Sequence, residues 1–121
     1  MAERSYAMNM AADSALVIVW AGLLLNDTGA PFIHPKKSDR TVHVKGTYGG
    51  ATVRIEGSCD VAASGQDWIL LSDPQGNDLD FVAADKQIEA VQEAAYQIRP
   101  NVSGGDGTTA VTVTILFTGG K

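Results

Sequence analysis

Two runs of alternating apolar and polar residues, separated by a pair of glycines, constrain the fold of this chain most. The runs cover residues 41–45 and 52–56, and each places valine or isoleucine at every second position. A period of two puts the apolar members on one face of a strand and the polar members on the other. Gly49-Gly50, between the runs, can adopt the positive φ angles of a tight reversal. The pattern predicts a β-hairpin with an aliphatic inner face and a polar outer face that carries His43, Lys45, Arg54 and Glu56.

Short strands separated by turn residues are predicted for most of the remaining chain. Residues 15–20 are rich in β-branched side chains and indicate a buried strand. Pro31 and Pro35 bracket Phe32-Ile33, which excludes that segment from the centre of a sheet. Residues 68–71 and 78–81 flank the turn 73–77 and are predicted to form a second hairpin.

The last third of the chain contains one ambiguous segment and one clear strand. Residues 85–96 combine helical spacing with good helix formers, but they have no obvious cap. A short strand or turn near Ile88 and a strand at 95–99 are favoured, with a single helical turn between them left open. Residues 110–117 alternate as a strand does, and the glycine-rich 101–109 is predicted to be the long, flexible loop of a hairpin.

About eight short strands of this kind predict an all-β fold, a single-domain antiparallel β-sandwich of jelly-roll or immunoglobulin-like type. The sandwich domain is assigned to residues 15–121 and an N-terminal arm to residues 1–14. The arm either reaches a neighbouring molecule or packs on its own domain as a first strand, and both uses stay open. The predicted core is Val42, Val44, Val53, Ile55, Trp68 or its neighbour Leu70, Leu79, Phe81, Ile98, Val111, Val113 and Ile115.

Size and charge exclude several classes of function. A chain of 121 residues is long enough for one domain with a real core. The net charge of −5, without a cluster of Lys or Arg, gives nucleic-acid binding little support. The longest apolar run, 15–25, is too short to cross a bilayer, which takes about 20 residues, and a turn follows it instead of a signal-cleavage site. The single cysteine, Cys59, fits a reducing cytoplasm.

The sequence contains no recognisable catalytic or metal-binding motif. His34 and His43 lack the spacing of a zinc site, and the carboxylates gather in loops whose turns favour Asp and Asn for their own backbone hydrogen bonds. Trp20 and Trp68 lie within apolar strands, where core packing is the better interpretation than a sugar-stacking platform. We therefore predict no catalytic residue, cofactor or metal, and a chain that is not an enzyme.

Three segments carry a resemblance to a family. They are 39–58 (DRTVHVKGTYGGATVRIEGS), Asp67-Trp68 with the LSDPQG of 71–76, and 98–108 (IRPNVSGGDGT). They resemble small structural proteins of tailed bacteriophages, of the capsid decoration or cement type. The upstream 20–23 and 26–29 fit the same pattern, so the likeness covers nearly the whole chain. The loop 59–65 is slightly longer than the Asn-Asp-Gly turn usual at that place.

The resemblance implies a virion protein that binds the assembled major capsid protein and stabilises the head, after assembly in the host cytoplasm. It also implies a small homo-oligomer, a trimer by preference, with no nucleic acid or membrane as a partner. A neck, tail or fibre component and a glycan-binding module for host attachment are the alternatives. The candidate partner-binding residues are Tyr6, Met8, Met10, Trp20, Phe32 and Tyr48.

Overall fold

The chain forms an all-β structure, as predicted. The structure, a computed structural model, describes residues 3–10, 15–33, 39–62, 64–82 and 88–118. Within these residues there are twelve strand segments and no helix. The segments are β1 (Glu3–Arg4), β2 (Ala7–Met10), β3 (Leu16–Leu23), β4 (Thr28–Gly29), β5 (Phe32–Ile33), β6 (Asp39–Thr47), β7 (Thr52–Ser58), β8 (Ile69–Leu70), β9 (Asp80–Val82), β10 (Ile88–Val91), β11 (Gln97–Ser103) and β12 (Ala110–Thr118).

The segments form two sheets that share one core, which confirms the β-sandwich. The seven-stranded sheet has the order β1-β4-β11-β7-β8, with β5 also paired to β11 and β9 also paired to β7. The five-stranded sheet has the order β10-β6-β12-β3-β2. All these pairs are antiparallel except β1 with β4.

The strand order is that of a jelly roll, one of the two predicted sandwich types. Segments β4 and β5 lie one after the other along β11, and β8 and β9 do the same along β7, so each couple acts as one interrupted strand. Apart from β1 and β2, this leaves eight strands, four in each sheet. In chain order, the first strand pairs with the eighth, the second with the seventh, the third with the sixth and the fourth with the fifth. These pairs are β3 with β12, β4/β5 with β11, β6 with β10, and β7 with β8/β9.

The predicted hairpin at 41–56 is wrong, although its faces are assigned correctly. Strand β6 lies in the five-stranded sheet and β7 in the seven-stranded sheet, so the two do not pair. The reversal itself exists: Gly49 and Gly50 have φ angles of 59° and 83°, and the N–H of Ala51 donates to the carbonyl of Tyr48 at 3.0 Å. Alternation and a glycine turn fit a hairpin and a crossing between facing sheets equally well. Strand β6 pairs with β12 and β10, so the glycine turn is a crossing between sheets and not a hairpin turn.

The other two predicted hairpins are also corrected. Strands β11 and β12 lie in different sheets, so 104–109 crosses between the sheets and does not close a hairpin. Segments β8 and β9 both pair with β7, and only the bridge between Ser72 and Asp78 joins the two sides of the second predicted hairpin. The strand predicted near Ile88 is confirmed as β10, and the strand predicted at 95–99 begins at Gln97 and continues to Ser103. Residues 85–87 lie outside the described residues.

The core lies between the sheets and matches the prediction at most positions. Trp68 and Leu70 are only half-buried, and Leu71 enters the core instead, with 4% of its surface exposed. The reason is that β8 is a two-residue edge segment, whereas the N–H of Leu71 donates to the carbonyl of Ile55 and fixes this residue over the sheet. Confirmed as buried are Val42, Val44, Val53, Ile55, Leu79, Phe81, Ile98, Val111, Val113 and Ile115.

Residues 3–10 of the predicted arm pack on their own domain. Strand β1 adds to the seven-stranded sheet and β2 to the five-stranded sheet, so the segment closes one side of the sandwich. Between them the Tyr6 ring contacts the rings of Trp20 and Phe32 edge-on, at centroid distances of 5.8 and 5.3 Å. Arg4 Nε donates to Asp27 Oδ2 at 2.7 Å. Of the two predicted uses of the arm, the structure therefore shows the intramolecular one.

Candidate partner-binding surface

The outward side of the five-stranded sheet carries no acidic residue over its two complete rows, whereas Asp39 and Lys45 lie on the same side of β6 beyond them. Two rows of paired residues cross all five strands, from β10 through β6, β12 and β3 to β2. The first row is Ile88, His43, Thr114, Val19 and Ala7, and the second is Ala90, Thr41, Leu116, Val17 and Asn9. We call these ten residues the outer face. At the usual strand spacing it is roughly 19 Å wide.

Six of the ten residues of the outer face are apolar, and none of the ten is acidic. Ile88 and Leu116 are 61% and 37% exposed, although both are large hydrophobic side chains. His43 is the single ionisable member of the ten, in a chain that carries 14 Asp and Glu residues. Depletion of charge together with exposed aliphatic groups is typical of the centre of a protein–protein interface. A sheet face of this kind can bind another protein surface.

The outer face of the seven-stranded sheet differs because it carries a charged network centred on Glu56, although Nε of Arg54 on the same strand is buried without a hydrogen-bond partner among the described residues. Arg99 donates to Glu56 Oε1 through Nε at 3.0 Å, and its Nη2 lies 2.9 Å from the same oxygen. Asn101 Nδ2 donates to Glu56 Oε2 at 3.2 Å. The guanidinium of Arg99 also lies over the Trp68 ring, 4.2 Å from its centroid. This polar network leaves fewer groups available to an external partner.

The Trp68 environment bears on the glycan-binding alternative. Trp68 is half-buried, and Arg99 already covers a face of its ring. Trp20, the other aromatic considered for a sugar-stacking platform, is fully buried, and Tyr48 is buried with 6% exposure. Sugar binding depends on an accessible aromatic face beside polar groups. The arrangement therefore does not favour a glycan platform.

Three of the six candidate partner-binding residues lie in the core of their own domain. Trp20 is fully buried and its Nε1 donates to the carbonyl of Ala30 at 3.0 Å. Phe32 is 5% exposed and packs against Phe117 at a centroid distance of 5.3 Å. Together with the buried Tyr48, they are corrected from partner contacts to core residues, because none presents a side-chain surface to a neighbour.

The other three candidates lie on the arm and are exposed. Tyr6 is 36% exposed, Met8 60% and Met10 68%. Met8 pairs with Ile18 and Met10 with Leu16, so both methionines point to the inner side of their sheet, beyond the area that the opposite sheet covers. Met8 and Met10 alternate along β2 with Ala7 and Asn9, which belong to the outer face on the other side of the sheet.

A surface cleft of about 510 Å³ adjoins the edge segment β8. Cys59, Asp60, Asp67 and Glu93 contribute to its lining. The carboxylates are engaged locally: Asp60 Oδ2 accepts from the N–H of Asp67 at 2.8 Å, and Glu93 accepts from the N–H and hydroxyl of Ser72 at 2.9 and 2.6 Å. Burial alone would raise the pKa of Glu93, but the bonds from Ser72 outweigh it and the pKa lies below its usual value.

The cleft presents no recognisable chemistry. No group of three His, Cys, Asp or Glu side chains that could hold a metal ion occurs in the part of the chain that the structure describes. Asp73, in the turn 73–77, uses its carboxylate to accept from the N–H groups of Gln75 and Asn77 at 3.0 and 2.9 Å. His43 lies on the outer face, and His34 lies outside the described residues.

Several buried polar residues were not anticipated from the sequence, and Arg40, Gln97 and Asp27 are the most completely linked to neighbouring segments. Arg40 is 3% exposed, and its place two residues before Val42 and four before Val44 is the signal that puts it on the inner face. Gln97 is 1% exposed and donates to the carbonyls of Asp60 and Ala62 at 2.7 and 3.0 Å, which ties the loop 59–66 to β11. Asp27 is 3% exposed, and no local sequence signal marks it as buried.

Comparison with known proteins adds no family. No protein-family model matches the chain, and no curated protein matches it either. Among the residues described, no helix is long and apolar enough to cross a membrane. The resemblance to phage structural proteins stays a prediction, supported by residues of this chain alone.

Proposed function

We propose that this protein is a structural subunit of a bacteriophage virion, a capsid decoration protein that binds the outside of the assembled head. The observation that carries the proposal is the outer face, ten residues without an acidic side chain that expose Ile88 and Leu116 and are suited to covering another protein. The partner is the major capsid protein in its assembled state, and the site of action is the virion.

The mechanism is stabilisation by binding, without catalysis. A subunit that binds the assembled shell and not its free components shifts the equilibrium toward the shell by mass action. The jelly roll suits this role because the second sheet packs beneath the five-stranded sheet and supports its outer face. Viral capsid proteins use the same architecture, although fold alone does not assign function.

Two of the segments that carry the phage resemblance, 39–58 and 98–108, meet at one end of the sandwich. Thr109 Oγ1 donates to the carbonyl of Tyr48 at 2.9 Å, which joins the turn 48–51 to the loop 104–109. Asn26 reaches the same end, where its Oδ1 accepts from the N–H of Gly104 at 2.8 Å. These contacts account for the glycine-rich motifs as parts of the fold.

The test is binding of the purified protein to assembled, undecorated capsids, with a matched pair of substitutions. Leu116→Asp places a carboxylate on the outer face, where burial against a partner costs several kcal/mol for an unpaired charge. We expect its affinity for capsids to fall at least about tenfold, equivalent to about 1.4 kcal/mol. Sedimentation of capsids followed by gel quantification of bound protein measures the effect.

The control is Val82→Asp on the opposite sheet. Val82 is 43% exposed and pairs with Thr52, away from the outer face. It introduces the same charge, so its affinity is expected to equal that of the unmodified protein. Equal loss in both variants, or no binding of the unmodified protein to capsids at any concentration, would show the proposal to be wrong. Reconstruction of the intact particle gives the copy number, which separates the head surface from a neck, tail or fibre position.

A further inference from the structure

The cleft beside the edge segment β8 is unsuited to catalysis, but its size and lining are those of a binding site. Its volume of about 510 Å³ lies within the range of about 300 to 1,000 Å³ that is usual for ligand sites. Three parts of the chain line it, namely the end of β7 with the loop that follows, residues 69–71, and residues 93–95. Hydrogen bonds fix two of these parts, because Gln97 holds the loop and Glu93 joins its own segment to Ser72. The cleft is therefore preformed.

One wall of the cleft is apolar and uncovered. Ile69 pairs with Gly57, so its side chain lies on the inner side of the seven-stranded sheet, yet it is 63% exposed. The segment 93–95 reaches this side of the sheet, since a methyl group on Gly57 would lie 2.8 Å from Cβ of Ala95. Alanine is too short to cover the isoleucine, and Ala94 is itself exposed. An external apolar group can therefore pack on Ile69 and remove its surface from water.

The charged groups of the lining are all acidic. Asp60 and Asp67 belong to the loop after β7, and Glu93 follows β10. Among the described residues that line the cleft, none is Lys, Arg or His. None of the three carboxylates takes part in an ion pair within the described part of the chain. Burial would raise the pKa of Glu93, but the bonds from Ser72 outweigh it, so this carboxylate is charged at neutral pH.

The cleft also lies in the acidic part of the chain. Residues 55–98 contain nine Asp or Glu residues and a single Lys, whereas the rest of the chain contains five acidic and eight basic residues. All of the lining falls between residues 57 and 95. Charge of one sign around a cleft with apolar walls attracts ligands of the opposite sign. The ligand that fits both properties carries a positive charge next to hydrocarbon.

We propose that this cleft binds a basic peptide segment of another protein. Lysine and arginine fit it because each carries a charged head on an aliphatic stem. The stem packs on Ile69, and the head lies among the carboxylates of Asp60, Asp67 and Glu93. A neighbouring apolar side chain of the peptide packs beside Ala94. The site is separate from the outer face, because no residue of the outer face lines the cleft.

Titration of the full chain with two short peptides tests the binding. The first probe is the acetylated and amidated hexapeptide Ala-Leu-Lys-Leu-Lys-Ala, and the second has Glu in place of both Lys. The basic peptide is expected to bind with a dissociation constant of about 1 mM or lower, and the acidic peptide at least about tenfold more weakly. Raising NaCl from about 50 to about 500 mM is expected to weaken binding of the basic peptide. Nuclear magnetic resonance measures the affinity, and the shifted signals are expected at 57–60, 67–71 and 93–95.

Asp67 and Ile69 are the residues to change, because both are exposed and neither supports the fold. The carboxylate of Asp67 accepts no hydrogen bond from the residues that the structure describes, and only its N–H is engaged. Asp67→Asn is expected to weaken binding about two- to fivefold, as loss of an exposed ion pair does. Ile69→Ser is expected to weaken it at least about threefold by removing the apolar wall. Circular dichroism and thermal melting show that both variants are folded.

The matched control is Asp78→Asn. Asp78 is exposed in the same acidic part of the chain but does not line the cleft. Its substitution removes the same charge and is expected to change the affinity less than about twofold. Equal affinities of the two peptides, equal effects of Asp67→Asn and the control, or shifts centred outside the cleft would each overturn the proposal.

Spermidine, a cation without apolar side chains, separates a peptide site from a site for charge alone. It is expected to bind at least about tenfold more weakly than the basic peptide, because it lacks the apolar side chains that pack in the cleft. Equal affinity for spermidine would overturn the proposal. The proposal does not depend on the virion function. A protein that binds the basic peptide but not capsids would refute the function alone, and one that binds capsids but not the peptide would refute this proposal alone.

Discussion

Arg40 shows how a single side chain can be buried with its charge. Its Nη1 donates to the carbonyl of Ala95 at 2.8 Å, and its guanidinium lies 5.2 Å from the centroid of the Phe117 ring. Burial lowers the pKa of Arg40, and both contacts offset the cost of removing the cation from water. The charge therefore belongs to the end of the core and is not available on the outer face.

Gly46 is the residue at which we expect the sharpest effect of a small substitution. Its φ angle is 123°, and a methyl group here would lie 2.9 Å from the Cα of Val111 and closer still to the carbonyl oxygen of Ala110. Because both obstacles are backbone atoms of β12, the β6–β12 pairing must shift. Gly46→Ala is expected to lower the free energy of unfolding by about 3 kcal/mol, measured by urea denaturation.

Gly50 provides the matched control for this prediction. Its φ angle is also positive, at 83°, but a methyl group there would meet no atom within 4 Å. Gly50→Ala is expected to cost only the backbone strain, about 1 kcal/mol. If the two substitutions cost the same, the close approach of β6 and β12 at Gly46 would not be the cause.

At the scale of the element, the arm is held by a charged contact as well as by strand pairing. Asp27 Oδ2 accepts from Arg4 Nε at 2.7 Å and from the N–H of Leu24 at 2.8 Å. Burial alone would raise the pKa of Asp27, but the bonds from Leu24 and Arg4 outweigh it and hold the pKa below its ordinary value of 3.8. The folded protein therefore prefers the ionised form of this carboxyl group.

This shift predicts an acid sensitivity of the arm. Because the pKa of Asp27 is lower in the folded state than in the unfolded state, its stabilisation is complete above about pH 5 and is lost as the pH falls through the folded-state pKa, below 3.8. Asp27→Asn is expected to lower the free energy of unfolding at pH 7 by about 1.5 kcal/mol and to flatten its decline on acidification. Denaturation curves between pH 7 and pH 3 measure both effects.

An exposed carboxylate serves as the control for the acid prediction. Asp39→Asn removes the same charge at the exposed start of β6. Its curve is expected to decline with pH as the unmodified protein does. A decline in Asp27→Asn as steep as in the Asp39→Asn control would contradict a role for Asp27. Hydrogen exchange of residues 3–10 at pH 4 reports whether the arm itself is released.

At the scale of the whole molecule, the sequence predicts which face of each strand is buried, but not which sheet holds the strand. Apolar and polar residues alternate in β6, β7 and β12 because one side of each strand faces the core and the other side faces solvent. The glycine turn at 49–50 is locally the same for a hairpin and for a crossing between sheets. Only long-range pairing, such as Val44 opposite Val113, separates the two.

The candidate surface was predictable in part for the same reason. Exposure of Met8 and Met10 follows from their position in the arm, but burial of Trp20, Phe32 and Tyr48 depends on which segments lie across the sandwich. The outer face joins five strands from distant parts of the chain, so no local motif contains it. The phage resemblance is not tested by these contacts and remains a prediction.

The interruption between β8 and β9 makes this molecule a promising carrier for foreign peptides. The segment 72–78 leaves and rejoins the edge at the bridged pair Ser72 and Asp78, and residues 74–78 are exposed. A short epitope inserted between Gln75 and Gly76 would extend into solvent without moving β7. If the protein coats a particle, each copy would then display one epitope, and antibody labelling of such particles would count the subunits.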